Sequence, residues 1–124
     1  MKEFILCAAI WYNDGLKHDG QPENITEGIV VCGRRHHNCY ATLKALGITN
    51  DDYKTMFSIM SESEHRKHQG FLTSEDRYVD RREAWKIAKE NNQIKFGLSN
   101  SDMKLPSGLQ SIDNDDFLIS ENLY

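Results

Sequence analysis

The sequence predicts an α+β fold, a small antiparallel sheet packed against two to three helices, and three observations predict it. Two short apolar runs, residues 3–12 and 28–33, have the length and the aliphatic and aromatic content of strands. Three stretches, 34–46, 50–60 and 81–91, set their apolar residues at helical spacing. Between the second and third of these, QGFLTSEDRYVD reads as strand, turn and strand feeding straight into the last helix. A chain of 124 residues is expected to make a single domain with a modest core.

In chain order, EFILCAAIWY is a buried first strand, closed by the turn Asn13-Asp14-Gly15. Residues 16–27 are polar, carry Gly20 and Pro22, and should form an exposed loop. GIVVCG is a second strand, antiparallel to the first and central, ended by Gly33. RRHHNCYATLKAL is the first helix, with His36, Cys39, Tyr40, Leu43 and Leu46 on one side and Gly47 just past its end. A second helix over 50–60, capped by Thr49 or Asn50, buries Tyr53, Met56, Phe57 and Met60. Residues 61–69 are polar and extend that helix or leave it, with His65-Arg66-Lys67-His68 as a solvated face.

Phe71-Leu72 and Tyr78-Val79 are then the arms of a hairpin around Ser74-Glu75-Asp76. Asp80 caps the last helix, and Glu83 three residues on completes a capping box. Ala84, Trp85, Ile87 and Ala88 form its apolar stripe, and Asn91-Asn92 end it. Ile94-Lys95-Phe96 reads as a short strand or anchored loop, and 97–116, rich in Gly, Asp, Asn and Ser, as a long mobile loop. The closing FLISENLY is apolar enough to dock on the body or on a second subunit.

Charge narrows the choice of partner. A net charge of −4 argues against a nucleic-acid polymer, which needs a positive field. The positive residues are nevertheless bunched, at Arg34-Arg35, at 65–68, and at Arg77 with Arg81-Arg82. That pattern suits a compact phosphate-bearing ligand. Arginines beside a helix N-terminus make a phosphate cradle, or else a solvated basic turn paired with Glu75, Asp76 and Glu83. Three cysteines, an odd number, speak against a disulfide framework. No apolar run approaches the roughly 20 residues of a membrane span. FILCAAI resembles a signal-peptide core, but Trp11 to Gly15 follow where small cleavage-site residues would stand, so an intracellular protein is expected.

Few constellations offer chemistry. Cys32, His36, His37 and Cys39 include zinc-ligand types at a spacing that matches no common zinc signature, and Cys32 is expected to point into the sheet. His36 and His37 could serve as general acid and base on a phosphodiester, as ligand contacts, or as a packed and a solvated histidine. The chain has no P-loop, no GxGxxG and no His-x-Glu deaminase pair. Trp11, Tyr12, Phe71 and Tyr78 could stack on a nucleobase, although aromatics in strands more often fill the core.

Three strings, VVCGRRHHNCYATL, HQGFLTSEDRYVDRREAWKIAKENNQI and LISENLY, add a resemblance that covers the chain outside the 13–27 and 97–116 loops. They are similar to the pattern CGxRHxxC, QGFLTSxxRFVxRxEAxxIA and SExLY of small phage and prophage proteins that include the first described Thoeris anti-defence sponges. Tyr78 departs mildly from the Phe of that pattern. The resemblance implies a non-enzymatic protein of the host bacterial cytoplasm. Such a protein sequesters cyclic ADP-ribose isomers made by TIR enzymes, needs no cofactor, and is a homo-oligomer with ligand sites at subunit interfaces. It carries ligand contacts onto Arg34, Arg35, His36 and His37, and onto Phe71, Thr73, Arg77, Asp80 and Arg81. In that reading Arg77 and Arg81 hold the diphosphate, Phe71 or Trp11 stacks on adenine, and Asp80 accepts from ribose hydroxyls beside its capping role. The alternative is a small phosphodiesterase working through His36 and His37.

Overall fold

The structure, a computed structural model, describes residues 2–94 together with Leu118, Ile119 and Leu123. The expectations for Lys95, Phe96 and the 97–116 loop lie outside the described residues, as does most of the closing segment. The fold class is α+β. Four antiparallel strands, β1 (Ile5–Tyr12), β2 (Ile29–Gly33), β3 (Gln69–Thr73) and β4 (Tyr78–Asp80), stand in the order β2-β1-β3-β4. Four helices accompany them: α1 (His36–Ala45), α2 (Asn50–Ile59), the one-turn α3 (Glu62–His65) and α4 (Arg81–Glu90).

The register sorts the strand residues into two faces. Gly33, Ala8, Phe71 and Val79 line up across the sheet, and Cys32, Ala9, Gly70 and Asp80 form the neighbouring row, whose side-chain positions point the other way. The Phe71 row lies under α1 and α4. There Cys39 and Leu43 of α1 and Ala84, Ile87 and Ala88 of α4 pack on Ile5, Ala8, Ile10, Phe71 and Val79. Small residues at Ala8, Gly33 and Ala84 let helix and strand approach closely. α2 closes the end of this layer, with Met56 buried and Tyr53 edge-on to Tyr12, ring centroids 5.8 Å apart.

Local signals account for most boundaries. Thr49 and Asp52 cap α2 reciprocally, and Ser61 with Glu64 does the same for α3. Those two carbon copies of one motif separate α3 from α2, so 61–69 is not a continuation. Gly47, at φ +92°, lies just beyond α1. Asp80 accepts from the Glu83 amide at 2.9 Å, but the Glu83 carboxylate turns to Arg77 at 3.1 Å. The expected capping box is therefore half made, because a guanidinium outcompetes a backbone amide for the carboxylate.

Four further expectations are corrected. β2 is an edge strand, not a central one, because β3 takes the other side of β1. Leu46 is 60 % exposed and follows the helix end instead of packing with Leu43. Cys32 is exposed on the sheet face opposite α1. His68 is 4 % exposed, so the 65–68 run is not a uniform solvated face.

The 13–27 segment is a strap rather than a free loop. Gln21 accepts from the Val30 amide at 2.7 Å on β2, and Pro22 is buried. On β4, the Asn24 amide donates to Tyr78 O at 2.7 Å and accepts from Tyr78 N at 2.8 Å. A side-chain amide thus makes both bonds that another strand would make to that residue. Of the closing segment, the described residues are buried: Leu118 fully, and Ile119 and Leu123 nearly so. Leu118 N donates to Arg81 O at 2.8 Å.

Candidate functional site

A concavity lies at the end of the helical layer where α1 turns into α2. It encloses about 660 Å³ and is walled by Tyr40, Tyr53, Phe57 and His68, with Lys44 and the Gly47–Asn50 turn at its rim. That volume lies within the range of small-ligand sites. The rings meet edge to face: Tyr40 to Tyr53 at 5.7 Å, Tyr53 to His68 at 5.9 Å and Phe57 to His68 at 4.8 Å. Helical spacing explains the wall. Tyr53 and Phe57 are four residues apart on α2, and Tyr40 and Lys44 are four apart on α1.

A hydrogen-bonded chain runs through two of the lining residues, Tyr40 and His68. Arg81 Nη2 donates to Gln69 Oε1 at 2.5 Å, and Gln69 Nε2 donates to the Tyr40 hydroxyl at 2.9 Å. The hydroxyl meets His68 Nε2 at 3.0 Å, and His68 Nδ1 meets Trp11 O at 2.8 Å. A carbonyl only accepts, so Nδ1 carries the proton, Nε2 accepts, and Tyr40 donates. Burial pushes the His68 pKa down and keeps this ring neutral.

His36 is fixed by the same logic. Its Nε2 lies 2.9 Å from Gly70 O and must donate there, so Nδ1 is the acceptor, 3.5 Å from Arg81 Nη2. Burial, and then the Arg81 charge, lower its pKa to about 4. His36 is thus a neutral positioning group wedged between Arg81 and the edge of Phe71, whose ring centroid is 5.2 Å away. Its lone pair is turned inward, a poor arrangement for an acid–base partner. His37 is exposed on the outer side of α1, so the two histidines do not converge.

The structure brings His36, Phe71 and Arg81 together but not with Arg77. Arg77 and Arg81 flank β4 at opposite ends of the hairpin. Arg77 grips Glu3 with two bonds of 2.8 Å, and the Thr73 hydroxyl donates to the same carboxylate at 2.6 Å. The Glu3 pKa is lowered chiefly by Arg77. This cluster pins the chain's start to the β3–β4 turn. Phe71 is fully buried, and Trp11 is 8 % exposed with its indole N–H on Glu27 O at 2.9 Å. Neither ring offers a face to a base, so the stacking role expected of them is not available in this arrangement. Asp80 is engaged in its cap. Arg34 is exposed and Arg35 half-buried, before α1. The Cys32, His36, His37 and Cys39 side chains diverge, with Cys39 Sγ directed at the carbonyls of Ala8 and Arg35.

Sequence reasoning missed Tyr40, Lys44, Tyr53, Phe57, His68 and Gln69 as a site. A usable signal was present around α2: its stripe sets the aromatics Tyr53 and Phe57 beside Met56 and the C-capping Met60, and in the structure the methionines are buried and the aromatics only partly so.

Residues 4–124 match the family model of the phage T4 y16D protein. The chain belongs to this family. Nothing among curated proteins or solved structures matches it. Membership agrees with the phage setting of the resemblance and covers the hairpin, α4 and the aromatic wall alike. No described helix is long and apolar enough to cross a membrane.

Proposed function

We propose that this phage-family protein binds and sequesters a cyclic ADP-ribose isomer, such as glycocyclic ADP-ribose made by bacterial TIR enzymes of Thoeris, and so blocks effector activation without cleaving the ligand. The observation that carries the reading is the aromatic cavity of about 660 Å³ with Lys44 at its rim. Half-exposed Tyr53 and Phe57 supply a stacking surface for adenine, and Lys44 a cation for the diphosphate. At the N-terminus of α2 the capping box takes the Thr49 and Asp52 amides, and Asp51 and Asp52 make its first turn acidic, so Lys44 is the group that suits the phosphates. Neutral, inward-turned His36 supports binding over the phosphodiesterase alternative. The proposal includes action in the host bacterial cytoplasm and assembly as a homo-oligomer.

Calorimetric titration with cyclic ADP-ribose isomers tests it, followed by heating the complex and chromatography of the released nucleotide. Tight binding with intact ligand is expected, and recovery of cleaved product would assign an enzyme instead. Tyr53→Ala should weaken binding by about 1–3 kcal/mol, the usual worth of one stacked base. If Arg77→Ala weakens binding and Tyr53→Ala does not, the ligand sits at the hairpin, as the family pattern implies, and not in the aromatic cavity.

A further inference from the structure

Cys7 and Cys32 take no part in the cavity or the core layer under the helices. On the β1–β2 ladder Ala9 faces Cys32, so Cys7, two residues earlier, is its diagonal neighbour on the same face. The register therefore sets the two thiols beside each other on one face of the sheet. Cys32 is exposed and Cys7 half-buried, while Cys39 is buried across the sheet under α1. The register of β1 shifts between Ile5 and Cys7, so the ladder is irregular next to Cys7.

We propose that Cys7 and Cys32 are a reversible dithiol–disulfide site that reacts with hydroperoxides, with Cys32 as the attacking sulfur and Cys7 as the resolving one. Exposure divides the roles: Cys32 is open to solvent and the neighbouring Cys7 lowers its pKa to about 7, whereas Cys7 is half-buried and both Cys32 and burial raise its pKa. In the first step the Cys32 thiolate attacks one peroxide oxygen. An S–O bond forms, the O–O bond breaks, and an alcohol or water leaves after taking up a proton. The sulfur is oxidised to a sulfenic acid and the peroxide is reduced. In the second step Cys7 attacks the Cys32 sulfur. The S–S bond forms, the S–O bond breaks, and the hydroxyl leaves as water with the Cys7 proton.

The test uses the full-length native protein. Hydrogen peroxide is added, remaining thiols are alkylated, and peptides are mapped by mass spectrometry. A Cys7–Cys32 link that dithiothreitol reverses is expected, with Cys39 alkylated only after denaturation. Cys7→Ser should halt the reaction at a dimedone-reactive sulfenic acid on Cys32. Limited alkylation of the unmodified protein at about pH 7 needs no variant, and should label Cys32 about tenfold faster than Cys7. Equal labelling of the two, or oxidation of Cys32 without a link to Cys7, overturns the proposal.

Discussion

His36 is neutral because burial, and then the Arg81 charge, disfavour its second proton, and this has a sign. Its pKa is about 4 when folded, below the ordinary 6.5, so between those values the unfolded chain binds the extra proton. Stability is full above about pH 7 and falls as pH drops from 6.5 toward 4, by up to about 3 kcal/mol for this group. His68, shifted the same way by burial, adds to the loss. Glu3 acts only lower, since its pKa is held below 4.5 and its stabilisation goes as pH falls through that depressed value. Urea denaturation across pH 4–7 should show the decline, and His36→Gln should flatten it. At this scale little of the site was legible. A histidine beside arginines reads equally as catalyst, ligand contact or packed ring. Only the register, which sets Gly70 O and Arg81 on either side of it, decides.

Elements were more legible than residues, where their signals are local. The β3–β4 hairpin and α4 follow from a polar turn, a capping aspartate and an apolar stripe within one short stretch. What the sequence hides is non-local. Nothing in GIVVCG says that β3 will occupy the far side of β1 and leave β2 at the edge. The cavity likewise needs α1, α2 and the residue that leads into β3 in one place, and its residues are scattered over 40–68. Gly70 gives the sharpest expectation at this scale. A β-carbon there would lie 2.1 Å from Val79 O and 2.9 Å from the Tyr78 ring, which crosses the strand to reach the carbonyls of Lys67 and His68. Gly70→Ala should cost about 3 kcal/mol or more, seen as a lowered thermal midpoint, because the obstacle is backbone of the paired strand and cannot swing aside.

The whole molecule depends on its distant end. Leu118 is fully buried and bonded through both backbone groups, by its N–H to Arg81 O and by its carbonyl from Arg81 Nη1 at 2.9 Å. Leu118→Ala should therefore destabilise the protein by about 2–4 kcal/mol in a denaturant titration, the cost of a cavity in a packed core. A value near zero would mean that this segment only rests on the surface. The strap has an implication for the order in which the chain acquires its structure. Asn24 mates with Tyr78, a residue 54 positions further along, and finds its partner only once the β3–β4 hairpin has been laid against β1. We expect such a contact to form late, on the native side of the folding barrier, with a φ-value near zero for Asn24→Ala. Losing it would hasten unfolding while leaving the rate of folding nearly untouched, which makes the strap a latch on the lifetime of the native state.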